Sequence, residues 1–134
     1  MASPLGQFIA LSSPDGHDFK GYLAEPAGIP KGNIVVGMEM YGVNDYLQGV
    51  CDDFATAGYA ALAPALFDRF EPDLTNPYDD AGSARGKDLS ARKDHNQTMM
   101  DVETAAAHLR GLNLGLTTTF MGYCFGGTVS WLAA

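Results

Sequence analysis

The sequence predicts an α/β domain: a mostly parallel sheet opened by an antiparallel hairpin, with helices on both faces. Three observations carry this. Strand-like and helix-like stretches alternate from residue 33 onward, the pattern of a parallel sheet with crossover helices. The stretch Asn33-Ile34-Val35-Val36-Gly37-Met38 is short and apolar throughout, as befits a strand buried on both faces. A strand-like run ends in a glycine-rich turn that opens a helix, at Gly122-Tyr123-Cys124-Phe125-Gly126-Gly127.

Taken in order, Gln7–Leu11 and Asp18–Ala24 read as strands, and the turn residues Ser13-Pro14-Asp15-Gly16 join them as a hairpin. After the loop at 25–32 comes the apolar strand, then a helix capped by Asn44 or Asp45. Leu47, Val50, Phe54 and Ala57 give that helix its stripe, and Gly58 ends it. Cys51 lies beside the stripe and is expected in the core. Tyr59–Pro64 is a further strand. Residues 65–95 are rich in Asp, Pro, Gly and Asn and read as a long loop with a short helix around Arg85–Arg92. Asn96–Arg110 forms a helix with Met99, Val102, Ala106 and Leu109 inward and Gly111 at its end. Asp101 and Glu103 are expected on its solvated face. Leu116–Met121 is the strand before the glycine-rich turn, and Thr128–Ala134 begins a helix.

The chain has 134 residues, enough for one domain with a core. It carries 16 acidic against 8 basic residues and no Lys/Arg cluster, which argues against nucleic acid or an anionic membrane as partner. No apolar run reaches the length of a membrane span, and Met1-Ala2-Ser3-Pro4-Leu5 lacks signal-peptide features. The two cysteines, Cys51 and Cys124, form no C-x-x-C pair. Neither a metal site nor a disulfide framework is expected, no cofactor motif is present, and a cytoplasmic setting is the default. A dinucleotide site is excluded, because G-x-G-x-x-G is absent.

The turn at Gly122–Gly127 places Cys124 where a nucleophile elbow holds its nucleophile. Small residues two positions either side make room for a strained backbone, and the helix that follows aims its amide dipoles at the thiol. Glu39 directly follows a buried strand, so its carboxylate needs either a site role or a structural partner. Tyr41 either lines a pocket or packs. His17 reads as surface, His95 as a helix entrance and His108 as a helix end, and none is expected to be the base that Cys catalysis needs.

Three stretches together resemble the dienelactone hydrolase family of α/β-hydrolases. Glu39-Met40-Tyr41-Gly42-Val43-Asn44 resembles its E-x-x-G-x-N loop. Gly58–Phe67 resembles its G-Y-x-x-x-x-P-x-L-(Y/F) stretch, and Gly122–Gly127 its G-(Y/F)-C-x-G-G elbow. One departure is Ala65, where the family often has Asp. The resemblance implies the N-terminal part of an α/β-hydrolase fold, a single partial domain over 1–134, and hydrolysis of a small-molecule ester or lactone. It implies that Cys124 attacks the carbonyl to form a thioacyl enzyme and that Glu39 contacts the resting thiol. The backbone amides of Met40 and Phe125 would form the oxyanion hole, and Tyr41, Arg69 and Arg85 are candidate substrate contacts. The family's Asp and His lie beyond the elbow helix and match nothing in these residues. The alternative is a catalytically incomplete chain or pseudoenzyme that needs a complementing polypeptide or only binds. The complete form is expected to be monomeric, and the 134-residue chain to self-associate through an exposed strand edge.

Overall fold

The hairpin forms as its turn chemistry dictates. Strands β1 (Gly6–Ser12) and β2 (Asp18–Ala24) pair antiparallel. Gly16 takes φ +87° and donates its N–H to Ser13 O at 2.9 Å, and the Asp15 carboxylate accepts from the His17 amide. The computed structural model describes residues 6–134. Met1–Leu5, read above for targeting features, lie outside the described residues.

Strand β3 (Asn33–Gly37) is buried along its whole length, as its apolar run requires. Helix α1 (Asp45–Thr56) starts where Asn44 caps it, its side chain accepting the Leu47 amide at 3.0 Å. Leu47, Cys51 and Ala55 recur every fourth residue and form the buried stripe. Gly58, at φ +100°, turns the chain into strand β4 (Ala60–Pro64), which is also fully buried. Helices α2 (Asp80–Arg92) and α3 (His95–Leu112) lead to strand β5 (Thr118–Gly122), and α4 (Phe125–Ala133) follows.

The sheet order is β1-β2-β4-β3-β5, with β4, β3 and β5 parallel and β2 antiparallel to both of its neighbours, β1 and β4. The chain leaves β3 through α1 to β4 on one side. It then returns through α2 and α3 to β5 on the other side of β3. Both crossovers run right-handed only if α1 and α3 cover opposite faces. Helix α1 packs on β1, β2 and β4, while α3 packs on β1, β3, β4 and β5 and against α4. The direction of winding therefore reverses at β3, and the crevice at its C-terminal end is where ligands bind in open sheets of this kind.

Two expectations are corrected. The stretch 65–95 is not mainly loop: a 3-10 turn covers Leu66–Arg69, and α2 begins at Asp80, ahead of the expected Arg85. Hydrophobic periodicity is blind to α2 because its buried face is made of Gly82, Gly86 and Leu89. Its start is fixed instead by Asp79, whose carboxylate accepts the Gly82 amide at 2.7 Å. Asp101 is not solvated but fully buried on α3. It accepts from Ser13 Oγ at 2.5 Å and from two nitrogens of Arg69 at 2.7 and 2.8 Å. The Asp101 face of α3 therefore meets the hairpin turn rather than water. From the other end of the 3-10 turn, Lys93 Nζ donates to Leu66 O at 2.6 Å, and burial pulls its pKa down to about 8.

Cys51 is enclosed under α1, as expected, and burial, with the neighbouring Asp52 charge, pushes its thiol up to about 12. An unfolded chain deprotonates a cysteine near 8.5. Between these values the unfolded state holds fewer protons, so the Cys51 contribution to stability is lost as pH rises from about 9 toward 12. Cys51→Ala removes that dependence. The variant is expected to be about 1 kcal/mol less stable at pH 7 from the cavity. Urea denaturation at a series of pH values should show the gap to wild type closing above pH 9.

Candidate active site

The parallel register of β3 and β5 sets the site. Gly37 pairs with Gly122, so the residues just past the two strands leave the sheet at one level. Glu39 lies two positions beyond Gly37, and Cys124 two beyond Gly122. The two loops thus rise side by side from the crevice at the end of β3.

Cys124 is the hinge of the elbow. It takes φ +53° and ψ −119°, immediately before the first residue of α4. A non-glycine residue there stores roughly 1–3 kcal/mol of strain. Its side chain is exposed, and the thiol is free. Thr128 N–H bonds Cys124 O at 3.1 Å, closing the first helical turn. Phe125 is the first residue of α4, so its amide has no partner within the helix.

The elbow can be this tight because three glycines meet. A Cβ on Gly126 would stand 2.1 Å from Gly37 O, one on Gly37 2.6 Å from Gly126 O, and one on Gly122 2.4 Å from Gly126 C. The α4 backbone therefore rests directly on the backbone of β3 and β5. Gly122 and Gly126 are legible from the turn pattern. Gly37 is not, because it sits inside the apolar strand and only the crossing of α4 reveals its purpose.

The loop after β3 is equally tied down. Gly42 donates to Glu39 O at 3.1 Å, closing a turn over Glu39-Met40-Tyr41-Gly42, and takes φ +83°. Asn76, buried, donates Nδ2 to Met40 O at 2.8 Å and its own amide to Tyr41 O at 3.1 Å. Helix α2 presses Gly86 against Met40, leaving no room for a side chain. The Met40 N–H donates to no acceptor among the described residues. Asn76 was invisible to sequence reasoning; a lone Asn before Pro77 signals only a turn.

The remaining candidates separate. Tyr41 packs: its ring meets Tyr78 edge-on at 4.5 Å, and its hydroxyl lies 3.0 Å from Ser83 Oγ. The Glu39 carboxylate, half-buried, takes no hydrogen bond from the described residues. Arg85 is half-exposed and bonded to Glu71 at 3.0 Å. Arg69 does not stand free: Asp101 and Asp15 hold its guanidinium, with Asp15 at 2.8 Å, and these hydrogen bonds keep it protonated. His17 stacks on Phe19, and His95 and His108 are carried by α3. Among the described residues, no cluster of three His, Cys, Asp or Glu is placed to hold a metal, and no helix is long and apolar enough to cross a membrane.

The site thus sets the exposed thiol of a strained elbow beside a loop whose Met40 amide is free of acceptors among the described residues. A model of the dienelactone hydrolase family matches residues 19–134. The chain belongs to the dienelactone hydrolase family. Carboxymethylenebutenolidases of Pseudomonas putida and Pseudomonas knackmussii are each 30% identical to it over 136 residues, covering 97% of this chain and 56% of theirs. A crystal structure from Klebsiella pneumoniae has a TM-score of 0.76 at 24% identity, covering 96% of this chain and 55% of that one. A dienelactone hydrolase-like promiscuous phosphotriesterase from metagenomic libraries gives 0.71 at 22% identity, covering 97% of this chain and 54% of that one. These two likenesses speak for the fold. The chain spans about half the length of the curated relatives it matches.

Two sets of substitutions test the packing of this dienelactone hydrolase family site. Gly126→Ala is expected to cost at least ~3 kcal/mol, because backbone atoms cannot yield. Gly49→Ala, which meets nothing within 4 Å in α1, should instead gain roughly 0.5–1 kcal/mol. Asp101→Asn leaves buried Arg69 short of its partner and should cost about 3 kcal/mol. Asp15→Asn, at the more open end of the same guanidinium, should cost far less. Denaturant midpoints measure all four.

Proposed function

We propose that the chain carries the nucleophilic half of an ester or lactone hydrolase that works through Cys124. The observation that supports this most is the backbone of Cys124: a non-glycine residue held at φ +53° on a strand-to-helix elbow, with its side chain exposed. Such strain persists where it aims a side chain at a substrate.

In this reading the Cys124 thiolate attacks the substrate carbonyl carbon, and a C–S bond forms. The carbonyl oxygen becomes an oxyanion that accepts from the Met40 and Phe125 amides. Collapse breaks the C–O bond, expels the alkoxide or enolate, and leaves a thioester on Cys124. Water then attacks the thioester, releasing the acid and restoring the thiol. Glu39, one strand away, takes part in forming the thiolate. The α4 dipole favours the same charge. A thiolate suits activated esters such as enol-lactones, whose leaving group departs readily. Tyr41 and Arg85 are the substrate contacts proposed from this site. A reduced compartment such as the cytoplasm suits the reading, because the nucleophile must stay a thiol.

A second reading has its own observation. Among the described strands β5 pairs only with β3, and Trp131 on α4 is 81% exposed. A surface of this kind favours a chain that works only with a complementing polypeptide laid along β5 and α4.

Mixing p-nitrophenyl acetate with the chain separates these readings. The first expects a burst of about one p-nitrophenolate per chain, lost in Cys124→Ala and slowed ~100-fold in Glu39→Gln. An undiminished burst from Cys124→Ala sinks it. The second expects steady turnover only after a polypeptide supplying the rest of the family domain is added.

A further inference from the structure

We propose that Asn76 is a positioning residue for the oxyanion hole, acting through the loop it ties and not by touching substrate. The inference rests on the proposed role of the Met40 amide.

The loop after β3 has three successive carbonyls, and each is fixed from a different direction. Glu39 O accepts the Gly42 amide within the turn, Met40 O accepts Asn76 Nδ2 at 2.8 Å, and Tyr41 O accepts the Asn76 amide at 3.1 Å. A peptide group is planar and trans, so its C=O and N–H point opposite ways. With Glu39 O drawn into the turn, the N–H of the same peptide, that of Met40, is turned outward. It remains free of protein acceptors among the described residues. The next peptide, which carries Met40 O, is the one Asn76 holds. Asn76 therefore fixes the dihedrals of Met40 from the far side and stops the turn from relaxing.

Two further features show that the tie is specific. The amide orientation of Asn76 is dictated, because only its NH₂ can donate to a carbonyl. Its Oδ1 is then left buried with no partner among the described residues. The space around the tie is also closed. A Cβ on Gly42 would stand 2.5 Å from Leu74 O, and one on Gly86 2.5 Å from Met40 O. The segment carrying Asn76 and the face of α2 thus clamp the loop from both sides. Asn76 lies far from the elbow in sequence and is no part of α4, so its loss should leave Cys124 in place.

The test uses Asn76→Asp, which keeps the shape but cannot donate to Met40 O, and Asn76→Ala. Three quantities are read on the full chain: the p-nitrophenyl acetate acylation rate as a function of substrate, the alkylation rate of Cys124 by iodoacetamide, and the thermal midpoint. An oxyanion exists only in the transition state, so the maximal acylation rate should fall about tenfold to a hundredfold. The substrate concentration for half-maximal rate should change less than about twofold. Iodoacetamide forms no oxyanion, and its rate should match wild type. An unchanged acylation rate in Asn76→Asp, with Cys124→Ala inactive, overturns this inference alone. So does an equal loss in acylation and alkylation, which would report general damage to the site. Activity surviving in Cys124→Ala overturns the proposed function itself. Should Asn76→Ala fail to fold, Asn76→Asp decides by the same three readouts.

Discussion

The structure depends on a contact between two backbones. Gly126 at the start of α4 lies against Gly37 of β3, closer than any side chain permits. Because nothing intervenes, only two residues separate α4 from β5, and of those two only one takes a positive φ. That residue is Cys124, and its positive φ follows from the geometry. The strain at Cys124 and the glycine contact are thus one arrangement. The close packing of α4 onto two strands offsets the strain, and the strain in turn lifts the thiol clear of both.

The same contact ties the elbow to the loop after β3. Gly37 ends β3 in register with Gly122 at the end of β5, so the surface that supports α4 also launches Glu39 and Met40. The winding of the sheet reverses at this strand, which leaves the crevice above it uncovered by either crossover. Helix α2 and the segment before it then close the far side of the loop, through Asn76, Tyr78 and Gly86. The fold holds the Cys124 thiol from one direction and the Met40 amide from the other, with a strand shared between them.

Much of this was legible in the sequence. Local chemistry revealed the hairpin turn, the Asn44 cap, the Gly58 stop and the elbow, because each is decided within a few residues. The buried strands revealed themselves by continuous apolarity. What stayed hidden is set by partners distant in sequence. Asp101 looks like any helix-surface carboxylate until the hairpin turn brings Ser13, and the 3-10 turn brings Arg69, against it. Helix α2 buries glycines, so it has no apolar period to detect. Gly37 and Asn76 earn their places only through elements that cross them. Of the candidate site, the elbow and the Glu39 loop could be placed from motifs. What holds that loop in shape could not.

The two arginines named from sequence illustrate why residue type alone does not define a binding contact. Both are cations on the segment between β4 and α3. The Arg69 side chain is nine-tenths buried, and its guanidinium already engages two carboxylates, one of them wholly enclosed. Drawing it toward a substrate would strand Asp101 in the core, at a cost of about 3–5 kcal/mol. A single carboxylate contact at a surface returns far less. Arg85, half in solvent with one exposed partner, can be redirected at the cost of under about 1 kcal/mol. An anionic group on a substrate would therefore be met by Arg85 or by no arginine of this segment, while Arg69 goes on holding the hairpin to α3.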